Sequence, residues 1–139
     1  DWRSSNWHAG RVEKELLAFP LFGNDKVLML DFAEIDQLYY FPGFKNIERV
    51  DASNNTLIGV GELSKYPSLQ EADLSANKIT SLKGIEACKS LTYLNVAGNS
   101  IGDWTPLLSL PNLNRLVVSN PSDPKLSILK QAKPNLIIE

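Results

Sequence analysis

One interval governs this chain. Segments starting at Ile47, Leu69, Leu91 and Leu113 follow one another every 22 residues, and each repeats the same spacing of apolar side chains. They read Ile47-x-x-Val50-x-Ala52-x-x-Asn55, Leu69-x-x-Ala72-x-Leu74-x-x-Asn77, Leu91-x-x-Leu94-x-Val96-x-x-Asn99 and Leu113-x-x-Leu116-x-Val118-x-x-Pro121. The second half of each unit keeps time as well. Leu57, Ile79 and Ile101 share one position; Val60, Leu82 and Trp104 the next; then Leu63, Ile85 and Leu107; then Tyr66, Cys88 and Leu110. A unit of this length cannot bury its own apolar ridge, whereas stacked units make one continuous core.

The period sets the local structure. Alternation around Val50, Ala72, Leu94 and Leu116 predicts a short strand in each unit, with neighbours about 4.8 Å apart in a parallel sheet. Asn55, Asn77 and Asn99 stand where the chain must turn after each strand. Their side chains are expected to satisfy backbone groups that the bend leaves buried. An earlier, degenerate unit is read at Val27–Phe32, with Leu30-Asp31-Phe32 matched to Val50-Asp51-Ala52. That match implies two residues missing after the first strand, since Ile35, Leu38, Phe41 and Phe44 keep the later register.

The ends of such a stack need closing. Val12, Leu16 and Phe19 at helical spacing, stopped by Pro20 and Gly23, predict an N-terminal helix over 7–19. At the other end Asp123 is the expected N-cap and Pro124 the first helical residue, with Leu126, Leu129 and Ala132 covering the last repeat. Pro134-Asn135-Leu136 repeats Pro111-Asn112-Leu113 and predicts a final half-strand. The expected division is a cap over 1–24, repeats over 25–121 and a second cap over 122–139.

The pattern L-x-x-L-x-L-x-x-N is that of leucine-rich repeats. At 22 residues per unit it resembles the phosphatase-regulator subfamily, a group with a dynein light chain, acidic nuclear phosphoproteins and a spliceosomal ribonucleoprotein subunit. Asn120-Pro121, the helix after it and Pro134-x-Leu136 resemble that group's C-terminal cap, although its Tyr-Arg pair is absent. Ile101-Gly-Asp-Trp-Thr-Pro-Leu107 is similar to the inter-repeat segment of internalin-like adhesins. The resemblance implies an α/β leucine-rich-repeat solenoid with a concave parallel sheet and a helical cap at each end. It also implies protein binding on the concave face without catalysis.

Composition narrows the function. The 139 residues include 14 Lys and Arg against 16 Asp and Glu, a net charge of −2, so phosphate neutralisation cannot be the main mode of binding and no direct nucleic-acid contact is expected. Apolar runs are too short to span a bilayer, and no membrane partner is expected. His8 is the sole histidine and Cys88 the sole cysteine, which excludes a structural zinc site and an internal disulfide. Cys88 sits at a core position, and no base is placed beside it. No enzyme activity and no cofactor are therefore expected. The unpaired cysteine leans toward an intracellular, cytoplasmic or nuclear, compartment. Asn54-Asn55-Thr56 forms a glycosylation triplet.

Outward strand positions are the candidate partner-binding residues. One column is read as Met29, Arg49, Glu71, Tyr93 and Arg115, and the next as Asp31, Asp51, Asp73, Asn95 and Val117. The three aspartates are expected to form a solvated acidic stripe, a reading preferred to a row of metal ligands. Tyr93 beside Arg115 is the residue pairing enriched at binding hot spots. The expected partner is a helix or extended peptide of another protein. The alternatives are a ribonucleoprotein subunit acting through a protein partner and a secreted or surface adhesin.

Overall fold

The computed structural model describes residues 26–32, 34–38 and 45–139. The expected N-terminal helix, Trp2, Trp7, His8 and Tyr39-Tyr40-Phe41 lie outside them. Six strands form one parallel sheet in chain order: β1 (Val27–Met29), β2 (Arg49–Asp51), β3 (Glu71–Asp73), β4 (Tyr93–Asn95), β5 (Arg115–Val117) and β6 (Ile137–Ile138). Each strand pairs only with the strand before and after it, as a 22-residue coil requires. Opposite the sheet, the return segments tighten into 3₁₀ turns at Gly61–Lys65, Ile85–Ala87 and Thr105–Ser109.

The core is the set of register positions read from sequence. Val50, Ala72, Leu94 and Leu116 are buried from the sheet side, and Leu63, Ile85 and Leu107 from the 3₁₀ side. Leu57, Ile79, Leu82 and Leu91 fill the space between them, and Cys88 and Trp104 are buried with them. The Cys88 thiol donates to the Leu63 carbonyl at 3.2 Å.

Asparagine side chains clamp successive turns. Asn77 Oδ1 accepts the Leu57 N–H at 3.0 Å, while its Nδ2 donates to the carbonyls of Ala52, Leu74 and Ser75 at 3.0, 2.9 and 3.2 Å. Asn55 accepts from Ile35 N–H at 3.1 Å, and Asn99 from Ile79 N–H at 2.9 Å. Each amide bridges two units and pairs backbone groups of both turns. The residue before each asparagine is left-handed: Asn54 at φ 56°, Ala76 at 54° and Gly98 at 73°.

The first unit departs from the sequence reading. Val27 pairs with Arg49, Leu28 with Val50 and Met29 with Asp51, so the strand stands at full repeat length and no residues are missing. Phe32, at φ 53°, continues the left-handed series. Matching Asp31 to Asp51 shifted the register by two. Met29, not Asp31, is the neighbour of Asp51 on the sheet.

At the far end Asp123 Oδ1 accepts the Lys125 N–H at 3.0 Å, opening a 3₁₀ turn at Pro124–Leu126 that runs into helix α1 (Ser127–Ala132). Leu126 and Leu129 are buried. Ala132 is exposed, contrary to expectation, because the helix ends there and the chain swings back to form β6. The expected half-strand thus becomes the sheet's last element, paired with β5 through Arg115–Ile137 and Leu116–Ile138.

Candidate functional site: the concave sheet face

Strand pairing places the candidate residues in two columns. The first runs Val27, Arg49, Glu71, Tyr93, Arg115 and Ile137; the second runs Met29, Asp51, Asp73, Asn95 and Val117. All eight candidates, Arg49, Asp51, Glu71, Asp73, Tyr93, Asn95, Arg115 and Val117, therefore stand on four consecutive strands.

Their environments differ. Arg49 Nε forms an ion pair with Glu71 Oε2 across β2 and β3, and Arg115 Nε forms one with Glu139 Oε1. Lys26 Nζ pairs with Glu48 at 3.1 Å on the same edge of the sheet. The Arg115 guanidinium also lies over the Tyr93 ring, 5.6 Å from its centroid, within cation–π range. Val117 is half-buried and Ile137 is 59% exposed. Apolar surface and an aromatic–arginine pair are thus concentrated on β4 to β6, while ion pairs occur at both ends, Arg49 with Glu71 across β2 and β3 and Arg115 of β5 with Glu139.

Asp51 and Asp73 are not a solvated stripe. They are 6% and 4% exposed. A three-residue strand is so short that an outward carboxylate at its last position reaches the turn that follows. Asp51 Oδ1 accepts the Ser53 N–H at 3.0 Å and the Ser53 hydroxyl at 2.6 Å, and Asp73 repeats both bonds with Ser75 at 3.0 and 2.6 Å. Asn95 keeps the backbone bond alone, to Ala97 N–H at 3.1 Å. Burial raises the Asp51 carboxyl above its ordinary range against the two Ser53 bonds, and the nearby charges of Asp73 and Asp31 add to the rise. The signal for this role was present as Asp51-x-Ser53 and Asp73-x-Ser75, where serine supplies the hydroxyl at one fixed offset.

Among the described residues, no three His, Cys, Asp or Glu side chains converge to hold a metal. Burial, with the charge of Glu86, pushes the Cys88 thiol up to about 11. No helix of the described residues is long and apolar enough to cross a membrane.

Known proteins share this architecture. A family model described as leucine-rich repeats in two copies matches residues 67–109. Internalin C2 from Listeria monocytogenes is 25% identical with a TM-score of 0.65, over 79% of this chain and 48% of that one. A leucine-rich-repeat protein from Leptospira interrogans is 26% identical with a TM-score of 0.61, over 68% of this chain and 25% of that one. A chain of the SNF/U2A' complex of Drosophila melanogaster superimposes with a TM-score of 0.70 at 20% identity, over 91% of this chain and 80% of that one. The chain spans about half the length of internalin C2 and a quarter of the Leptospira protein. The repeat interval, the parallel ladder and these likenesses agree: the chain has the leucine-rich-repeat solenoid fold, with leucine-rich repeats matched over residues 67–109.

Proposed function

We propose that this protein is a non-catalytic interaction module that takes a partner's helix or extended peptide on its concave face. Tyr93, Asn95, Arg115 and Val117 form the centre of the contact, with Arg49 and Glu71 at its rim. Asp51 and Asp73 support it from behind by holding the turns. The observation that carries this reading is the Arg115 guanidinium over Tyr93, beside half-buried Val117 and exposed Ile137. An aromatic ring, an arginine and adjoining apolar area are the ingredients of a hot spot. Likeness to a chain of the SNF/U2A' complex supports a protein partner. This protein's single cysteine, Cys88, unpaired within the chain, favours an intracellular compartment.

The test places a photo-crosslinking side chain at Asn95 on the concave face or at Ser64 on the opposite 3₁₀ turn, in cells of the source organism. Crosslinks to one protein from position 95 alone are expected. Tyr93→Ala with Arg115→Ala should weaken that complex by at least about 30-fold, the weight of one hot spot. Crosslinks from position 64 alone would move the contact to the convex side.

A ribonucleoprotein subunit acting through its protein partner is the second reading, favoured by the same SNF/U2A' likeness. It predicts that RNA is recovered with the crosslinked partner. The isolated chain, at net charge −2, should show no steep salt-dependent RNA affinity of its own.

A further inference from the structure

The asparagine series stops one unit early, and a cleft stands where it stops. Asn55, Asn77 and Asn99 set a position whose next member is Pro121. Proline has no side-chain amide. The Ile101 N–H holds the place of the Ile35, Leu57 and Ile79 N–H groups, each of which donates to an asparagine Oδ1. At Ile101 that acceptor is missing. On the donor side, Asn99 Nδ2 reaches the carbonyls of Leu74, Val96 and Ala97 at 3.0, 3.0 and 3.4 Å. The corresponding carbonyls for position 121 belong to Val96, Val118 and Ser119: Val96 accepts the Asn99 amide but not the second one that Leu74 takes from Asn77 and Asn99 together, and Val118 and Ser119 receive none.

The turn changes shape here too. Asn120 follows Phe32, Asn54, Ala76 and Gly98 in the 22-residue series, yet it lacks their left-handed backbone. The Gly98 N–H turns to the Ser119 hydroxyl, at 2.6 Å, where the Ala76 N–H meets the Ala97 carbonyl at 2.8 Å. The opened space is a cleft of about 170 Å³ lined by Val96, Asn99, Ile101, Trp104, Val118 and Asn120, among others. Trp104 adds an independent mark. Its indole Nε1 is the one side-chain nitrogen or oxygen among the described residues that is buried without a partner. Buried polar groups left unpaired are costly, and a cleft that collects them favours an occupant able to pair them.

We propose that this cleft binds a primary carboxamide, the side chain of an asparagine or glutamine on another polypeptide, in the place of the absent repeat asparagine. The carboxamide oxygen accepts from the Ile101 N–H, and its NH₂ donates to the Val96 and Val118 carbonyls. A carboxylate lacks the donor for the carbonyls, and an aliphatic side chain lacks both functions. The site is separate from the concave columns and does not depend on their role.

The test is a ¹⁵N–¹H titration of the full chain with N-acetyl-glutamine-N-methylamide and N-acetyl-asparagine-N-methylamide. The glutamate and leucine analogues carry the same backbone amides and serve as controls. Saturable shifts of the Ile101 amide and Trp104 indole resonances with the two carboxamides, and not with the controls, are expected; asparagine against glutamine shows which side-chain length fits. Pro121→Asn supplies the amide from within the chain. It should remove the response and raise Tm by a few degrees. Equal shifts with the leucine analogue, shifts with the glutamate analogue alone, or no saturable shift with either carboxamide would each overturn the proposal. The titration of the unaltered chain decides the matter even if Pro121→Asn does not fold.

Discussion

Asn77 Oδ1 accepts the Leu57 N–H at 3.0 Å, so one side chain holds the backbone of the preceding unit, twenty residues back along the chain. The same amide donates to three carbonyls. Asn77→Ala should strand a buried donor and lower stability by about 3 kcal/mol, at the upper end for one unsatisfied buried group. Asn54→Ala, at an exposed neighbouring turn, should cost about 1 kcal/mol through its left-handed backbone alone. Urea unfolding of both variants checks the ranking. Equal losses would mean that the clamp is unimportant.

Ala76 and Gly98 occupy the same left-handed position in adjacent turns, at φ 54° and 73°. Their exchange should have opposite signs. Ala76→Gly relieves backbone strain and should stabilise by about 0.5 kcal/mol. Gly98→Ala introduces that strain and sets a Cβ 3.1 Å from the Ala76 Cα, so it should destabilise by about 1–3 kcal/mol. Thermal melts of the two variants decide it; a shift of the same sign in both would contradict the geometry.

The Asp51 carboxyl is raised above its ordinary 3.8, chiefly by burial. The folded state then holds this proton more tightly than the unfolded chain does. The favourable contribution is present below the unfolded value and is lost as pH rises through the folded one. Asp51→Asn keeps the Oδ1 acceptor, as Asn95 does naturally, and removes the buried charge. Its Tm should exceed that of the parent at pH 7 and match it near pH 3. An equal gain at both pH values would place the effect elsewhere than in ionisation.

Cys88 is 1% exposed, and its thiol is pushed up to about 11. At pH 8 only about one thiol in a thousand is ionised, and that one is enclosed. A thiol-reactive disulfide reagent should leave the native protein unmodified for hours and label it at once in denaturant. Stoichiometric labelling without unfolding would contradict the packing.

Much of this was legible because the period is strict where backbone pairing is strict. The strands around Val50, Ala72, Leu94 and Leu116, the buried Cys88 and Trp104, and the clamping asparagines all follow from the interval. The first strand was misplaced because Asp31 imitates Asp51 in chemistry, while the register obeys the hydrogen bonds of Val27 and Leu28. Alternation predicts Asp51 and Asp73 to be outward and solvated, yet both are buried, because it carries no information about how near the next turn lies. Their serine partners fix that. The left-handed turn was hidden because Phe32, Asn54, Ala76 and Gly98 share a backbone shape and no side-chain chemistry. The candidate site was legible as a set of columns; the ion pair that ties Arg49 to Glu71 depends on side-chain reach, which spacing does not report.

Strand order along the sheet equals order along the chain, from β1 to β6. Among the described residues no segment doubles back to tie the two extremities together, so length is a free parameter of the architecture. Excising residues 69–90 would bring Leu91 to the place of Leu69 and seat Tyr93 beside Arg49, leaving a shorter molecule with every remaining seam intact. Growth or loss by whole modules is thus open to such a gene, whereas a single inserted codon inside β3 would break the interval at the seams that β3 makes with β2 and β4.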